Sequence, residues 1–397
     1  MSDFATLPLN MRRAGFDPAP ELRDLRESDG ITRISTPFGL DAWLVARYAD
    51  VRALLSDTER FSNSRQNFVQ LAGPNLTPQQ IKEMRAGNLL AADPPEHTRL
   101  RRLLTPEFTL RRMRRLEPRI TDIVEDHLDA MEKAGSPADL VQSFALPIPS
   151  LVICELLGVP YDDRKEFQSR TAKLIDVSLP FEERMKVQRE SRAYMSDLVT
   201  RIKADPGEEL LGMLVREHGD DLEHDELVGI GNLLLVAGHE TTANMLGLGT
   251  LALLQHPDQL DLLRREPERI EATVEELMRW LSIVHSGIAR VATRDTEIAG
   301  QAIKQGDAVM VALPTANRDP AFIDEPDVLD ISRGAPGHVA FGHGIHHCLG
   351  APLARMEMKI AFPALFQRFP GLRAVPAEAS FRSFSVVYGL TSLEVTW

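Results

Sequence analysis

The stretch Phe341-Gly342-His343-Gly344-Ile345-His346-His347-Cys348-Leu349-Gly350 runs straight into a helical pattern, Ala351-Pro352-Leu353-Ala354-Arg355-Met356-Glu357-Met358-Lys359. A glycine-rich loop ahead of a helix start places Cys348 among free amide N–H groups, which favour a thiolate over a thiol. Pro352 suits the first turn, where a missing N–H costs nothing. Gly344 and Gly350 permit positive φ and close approach of backbone to a bulky flat ligand. A thiolate held this way is a nucleophile, a redox thiol or an iron ligand. The plain competing reading is a buried structural cysteine.

Three other segments carry chemistry. Asp93-Pro94-Pro95-Glu96-His97-Thr98-Arg99-Leu100-Arg101 reads as a capped helix start, with Asp93 as the cap and proline in the first turn. His97 and Arg101 are four apart on one face, so both can donate to a single anion. Ala237-Gly238-His239-Glu240-Thr241-Thr242 lies inside a long apolar pattern beginning at Asp225 or Glu226 and ending near Gln255. Glycine weakens a helix interior by roughly 1 kcal/mol relative to alanine. Threonine there can bond back one turn and bend the helix, opening room for a small molecule. An acid beside an alcohol is a proton-delivery pair. Glu276 and Arg279 sit at ion-pair spacing on a further helix.

Phe-x-x-Gly-x-x-x-Cys-x-Gly resembles the haem-binding signature of the cytochrome P450 family, and Phe341, Gly344, Cys348 and Gly350 occupy every fixed position. The other segments are similar to further motifs of that family, in the same order. The resemblance implies Cys348 as the iron ligand. It implies haem contacts from Phe341, Gly350, Ala237 and Gly238, and haem-propionate contacts from His97, Arg101, Arg290 and His346. By the same match Thr241 and Glu240 are catalytic, steadying activated oxygen and moving protons, while Ala237 and Gly238 leave room for dioxygen. Glu276, Arg279 and the later Arg333 are implied as a structural set, in which Arg333 meets the Glu276–Arg279 pair and supports the cysteine loop.

Composition bounds the remaining possibilities. The 397 residues are 43% hydrophobic and 26% charged, the pattern of a water-soluble globular chain. A net charge of −13 argues against nucleic-acid or acidic-membrane binding. Two distant cysteines, Cys154 and Cys348, fit a reducing compartment, and Cys154 lies in an apolar helix as a small core residue. The first residues carry neither a basic start nor a long apolar run, so no signal peptide or membrane anchor is expected and the location expected is cytoplasmic. Eight arginines fall between Arg99 and Arg119 (Arg99, Arg101, Arg102, Arg111, Arg112, Arg114, Arg115 and Arg119), opposed there by Glu107 and Glu117. Such a patch can steer an acidic partner.

Hydrophobic periodicity predicts helices over 48–55, 77–84, 110–134, 141–157, 161–176, 181–204 and 207–217. It predicts a hairpin over 31–46 turning at Pro37-Phe38-Gly39, strands over 298–313 with a turn at Gln305-Gly306-Asp307, and a late hairpin over 385–390 whose tip reaches the pocket. Substrate is expected against 67–90, 171–186, 228–237, 283–288 and 386–390, with Asn232, Ile283, His285, Ser286 and Val387 as named contacts and Gly229 and Gly231 thinning the long helix.

The resemblance covers nearly the whole chain and is closest to soluble actinobacterial, family-105-like members. It implies a mainly α fold with a small β lobe and a single catalytic domain over 1–397. The β-rich part comes from about 31–60, 285–315 and 373–397. Haem b lies between the oxygen-binding helix and the cysteine-loop helix. The implied activity is monooxygenation: hydroxylation or epoxidation of a bulky lipophilic macrolide, polyketide, terpenoid or drug-like compound by a monomer. Dioxygen is the co-substrate, and electrons come from NAD(P)H through a ferredoxin reductase and a ferredoxin. The alternative on the same fold is desaturation, ring coupling or peroxide-driven oxidation. A haem sensor or carrier is the remote one.

Overall fold

The computed structural model describes residues 7–36, 41–64, 77–375, 379–382 and 384–397. The Pro37-Phe38-Gly39 turn and residues 67–76 of the first pocket segment lie outside them.

The fold is built around the helix His224–Gln255. Its start is set by a reciprocal cap, in which Glu223 accepts from the Glu226 amide and the Glu226 side chain accepts from the Glu223 amide. From Ala243 to Leu253 every residue is buried. A helix apolar all round belongs at a core and not at a surface. It packs against Pro147–Leu157, Phe181–Ala204 and the cysteine helix Ala351–Arg368.

Glycine sets how close those neighbours come. A Cβ on Gly249 would lie 2.6 Å from Phe362 of the cysteine helix. A Cβ on Gly229 would lie 1.8 Å from the Ala86 carbonyl, and one on Gly231 would lie 2.5 Å from the Met195 sulfur. These two glycines therefore admit the 86–87 backbone and the Phe181–Ala204 helix. They do not thin the helix for a ligand, as the sequence suggested.

The principal sheet has five strands in the order Ile31–Ser35, Asp41–Val45, Ala308–Val311, Ala289–Ala292, Phe61–Ser62. Asp41–Val45 runs parallel to Ala308–Val311, with Ala42 opposite Ala308; the other pairs are antiparallel. Pairing of Val309 with Arg290 fixes Arg290 on an inner strand. The C-terminal β segment pairs elsewhere: Glu394–Thr396 lies between Arg373–Ala374 and Ala138–Asp139.

Several helix limits differ from the periodicity. Proline breaks the expected 141–157 helix, so a π-turn over Val141–Ala145 precedes the helix from Pro147. The 161–176 segment is a 3₁₀ turn followed by Arg164–Ile175. The arms of the late hairpin are Ser380–Phe381 and Leu390–Ser392, so the expected 385–390 segment lies between the arms except for Leu390. The Asp93 side chain does not cap the helix: its carboxylate accepts from the Ser62 hydroxyl and the Asn63 amide, while its carbonyl takes the His97 amide, and the helix starts at Glu96 with Pro95 before it. Among the described residues no helix is long and apolar enough to cross a membrane.

Candidate active site

Cys348 opens onto a cavity of about 1030 Å³. Ala237, Gly238, Thr241 and Thr242 of the long helix line the same cavity, as do Arg101, Arg290, Phe341, His346 and Gly350. The long helix and the cysteine helix thus share one space, as expected. The Cys348 amide donates to the Phe341 carbonyl at 2.9 Å, which closes the loop on itself. Of the two loop glycines singled out in the sequence, Gly344 has a positive φ of 71°, and its absent Cβ would strike the Leu55 carbonyl at 2.5 Å. Gly350 has φ −80°, so its role is not conformational; open space lies where its Cβ would stand. Burial pushes the Cys348 thiol up, against the pull of the Gly350 and Ala351 amides and of Arg101 and Arg355. The amides at the helix start thus favour the thiolate, as the sequence suggested, but burial outweighs them; a coordinated metal ion would ionise the thiol.

Two guanidinium groups and two imidazoles crowd one end. Arg101 Nη1 donates to the His347 carbonyl at 2.7 Å, and Arg290 Nη1 to the Ala289 carbonyl at 3.0 Å. The His97 and His346 rings lie 4.2 Å apart. Both ring nitrogens of His97 and Nδ1 of His346 are buried without a hydrogen-bond partner. Burial, then Arg290, His97 and Arg101, push His346 down to about 3. Burial also lowers His97, with Arg101 adding to the effect, and takes Arg290 down to about 10. Orphaned buried nitrogens are costly unless an acceptor arrives. A flat group carrying two carboxylates fits this end. No cluster of three metal-ligating side chains occurs among the described residues, so Cys348 could hold iron only where the remaining ligands come with the cofactor.

On the long helix, Thr241 Oγ1 donates to the Ala237 carbonyl at 2.8 Å, the back-bond the sequence anticipated. The Cβ that Gly238 lacks would meet Ile153 at 2.7 Å, so this glycine lets the Pro147–Leu157 helix come close, and Gly238 and Ile153 both line the cavity. Glu240 points away from the cavity, where it is 1% exposed. Its Oε2 accepts from Arg382 Nη1 at 2.8 Å, and its Oε1 stands 3.4 Å from His239 Nε2. Burial pushes this carboxyl up, but His239 and Arg382 overcome it and hold it below its ordinary value.

Among the expected substrate contacts, Ile283 and Ser286 line the cavity while Asn232, His285 and Val387 do not. Asn232 is spent on Val228 and on the Ser191 hydroxyl. His285 Nε2 donates to the Ser385 carbonyl at 2.7 Å, and burial followed by Arg13 pushes it down to about 3. Val387 bridges to Val284 from behind. Residues 386–390 line none of the cavity; they hold the 283–288 wall from outside, with the Tyr388 amide donating to the Ile283 carbonyl at 2.8 Å. The cavity wall is also made by Leu89, Ile230, Leu233, Leu234 and Ile288, inside the segments the sequence pointed to, and by Met245 outside them.

Glu276 and Arg279 form the expected pair, fully buried, with both nitrogen–oxygen distances at 2.7 Å. Arg333 does not reach it. Its guanidinium takes Asp330 Oδ2 at 3.3 Å and the carbonyls of Asp324 and Glu325, and the link to the pair runs through the Asp330 amide, which donates to Glu276 at 3.0 Å. The eight arginines also divide. Arg99 bonds Glu226, Arg101 turns inward, Arg112 holds Glu107 and Arg119 holds Glu155. Arg102, Arg111, Arg114 and Arg115 are exposed and make no ion pair among the described residues.

Sequence reasoning missed Arg382, the partner of Glu240, since nothing in a C-terminal hairpin signals that role. It also missed Glu357, an acid within the buried stripe of the cysteine helix. Glu357 lines the cavity, Oε2 has no partner, and burial raises the carboxyl well above its ordinary value.

Comparison with known proteins settles the class. The family profile described as Cytochrome P450 matches residues 42–197 and 181–373, and the chain belongs to that family. Cytochrome P450 FAS1 of Rhodococcoides fascians is 48% identical over 399 residues, covering 100% of both chains. Pentalenic acid synthase of Streptomyces avermitilis is 45% identical over 392 residues, covering 97% of this chain and 96% of its own. The crystal structure of CYP105P1 in complex with filipin I superposes with a TM-score of 0.89 at 40% identity, covering 97% of each chain. The protein is accordingly a P450 monooxygenase working with haem b and dioxygen, with electrons from NAD(P)H through redox partners.

Proposed function

We propose that this chain is a haem-thiolate monooxygenase that hydroxylates or epoxidises a bulky lipophilic small molecule, with a ferredoxin as its immediate electron donor. The observation that carries the reading is one cavity lined by Cys348, by Ala237, Gly238, Thr241 and Thr242, and by Arg101, Arg290 and His346, with buried imidazole nitrogens of His97 and His346 left without partners at that end and aliphatic walls elsewhere. Relatives named for pentalenic acid and a structural neighbour binding filipin support a natural product as substrate.

Bound haem supplies the activation of dioxygen that no side chain offers. Cys348 would hold its iron through a thiolate sulfur, a ligand that donates electron density to the metal. Arg101, Arg290, His97 and His346 would hold its propionates. Thr241 gives its hydroxyl hydrogen to Ala237, which leaves Oγ1 an acceptor beside the oxygen site. Rotation away from Ala237 turns the same hydroxyl into a donor. Glu240, paired with Arg382, must leave that partner before its carboxylate can carry a proton inward. Leu233, Leu234, Ile283 and Ile288 exclude water and present apolar surface to substrate. Arg102, Arg111, Arg114 and Arg115 are the free cations for an acidic ferredoxin. Glu276, Arg279 and Arg333 brace the structure behind the loop.

The test is a spectral titration of the ferric holoenzyme with macrolides, polyketides and terpenoids, followed by turnover with a ferredoxin and its reductase. A saturable low-to-high-spin shift and an oxygenated product are expected for one class. Binding confined to polar or carrier-linked compounds would overturn the lipophilic reading.

A further inference from the structure

A third acid–base group stands behind the cysteine loop and belongs to none of the roles above. Glu275 neighbours the buried Glu276 on the helix Ile270–Leu281, but its carboxylate reaches the other way. Oε2 accepts from Arg355 Nη2 at 2.9 Å, and Arg355 Nε donates to Oε1, a two-pronged contact. His338 Nε2 stands 3.1 Å from the same Oε2. His338 Nδ1 accepts the Ala340 amide at 3.2 Å, so Nε2 carries the ring hydrogen and donates to Glu275. Burial pushes the Glu275 carboxyl up, but Arg355 and His338 bring it down to about 2, so it is an anion under ordinary conditions.

The fork of Arg355 is fixed in plane by Glu275, and its central carbon lies 4.5 Å from the centroid of the Phe341 ring. His338 touches the same ring, centroids 5.9 Å apart. The Phe341 carbonyl in turn accepts the Cys348 amide. Arg355 lies seven residues after Cys348, about one turn along the helix that begins at Ala351 just after the loop. One anion, one cation and one imidazole therefore converge on the aromatic ring that anchors the cysteine loop.

We propose that Glu275, Arg355 and His338 form a positioning set that holds Phe341 and fixes the charge field felt by Cys348, and so sets the reduction potential of the bound haem. This rests on Cys348 being the iron ligand. The set works by a balanced charge: Arg355 favours the added electron, Glu275 opposes it, and the stack on Phe341 keeps both at fixed distance.

The experiment is a redox titration of the holoenzyme, with the reduced carbon monoxide spectrum recorded for every variant. Arg355→Gln is expected to lower the potential and Glu275→Gln to raise it. The double variant, which removes both charges, is expected to return toward wild type. Arg355→Lys keeps the charge but loses the fork and the stack; it is expected to hold the potential near wild type while converting more readily to the thiol-ligated form. Shifts of the same sign in the two single variants, or none, would overturn the proposal, because a merely structural clamp has no reason to give opposite signs. Should Glu275→Gln fail to fold, the Arg355 pair alone decides: equal potentials in Arg355→Gln and Arg355→Lys overturn it. A wild type without the thiolate carbon monoxide band would show that the ligand reading has failed; wild type with that band and unshifted variants would show that only the proposal has.

Discussion

Two glutamate–arginine pairs of this molecule, one in the core and one at its edge, are built differently. Glu276 and Arg279 are 0% exposed, one turn apart on a single helix. Arg279 also donates to the carbonyls of Asn317, Pro326 and Val328 at 3.1, 2.7 and 3.1 Å, and Glu276 accepts the Asp330 amide. Every lone pair and proton that matters is used. Glu240 and Arg382 join the long helix to a C-terminal hairpin through one hydrogen bond, and the Arg382 side chain is 19% exposed. Opening the first pair strands two charges in the core. Opening the second breaks one bond and lets a cation swing to water. The first is therefore a brace, and the second is the contact that the proton-delivery role proposed for Glu240 requires to open.

The largest expected effect tests the brace. Arg279→Ala leaves the Glu276 carboxylate buried and alone, which costs about 3–5 kcal/mol. Denaturant unfolding measures it, and a loss below about 1 kcal/mol would place the pair with ordinary surface contacts.

Next comes the movable pair. Arg382→Gln removes a charge-assisted hydrogen bond, worth about 1.5–3 kcal/mol. The effect depends on pH. Glu240 is held below its ordinary value, so it adds stability above the unfolded carboxyl pKa and loses it as pH falls through the folded value. In Arg382→Gln the upward push of burial meets less opposition, so that loss begins at a higher pH. Unfolding curves of both proteins across the acid range check the sign; a variant that loses stability only at lower pH than wild type contradicts it.

The third effect concerns what the movable pair serves. Thr241→Ala removes the hydroxyl beside the oxygen site, and product formed per reductant is expected to fall at least about tenfold while peroxide rises. Thr241→Ser restores coupling if the hydroxyl is what matters. Full coupling in Thr241→Ala would remove Thr241 from proton delivery.

The smallest effect separates free from tied arginines. Arg114→Glu is expected to slow reduction by ferredoxin, with the defect shrinking as salt rises. Arg112→Glu is expected to act mainly through stability, since Arg112 already holds Glu107. Identical salt dependence in both variants would erase the distinction.

The fold and the cysteine loop were legible because local signals and spacing agree there. The Phe341–Gly350 pattern, the Glu276–Arg279 spacing and the apolar length of His224–Gln255 each carry their own warrant. Side-chain direction was less legible. Helical spacing puts Asn232 and Glu240 on the helix but cannot say which face meets the cavity, and both turn to neighbours instead. Polar residues in the 283–288 wall read as substrate contacts, yet His285 is consumed in holding the wall to Ser385. Gly229 and Gly231 read as space, when they are points where other backbone or side chains come close. Partners distant in sequence, such as Arg382 for Glu240 and Arg355 for Glu275, leave no local mark at all.

The most direct test of the central claim is the carbon monoxide spectrum of the reduced holoenzyme, recorded for wild type and for Cys348→Ala. Thiolate ligation by Cys348 requires the thiolate band in wild type and its complete loss in Cys348→Ala. A wild type with the band of histidine-ligated or thiol-ligated haem, or a Cys348→Ala variant that keeps the thiolate band, would contradict it.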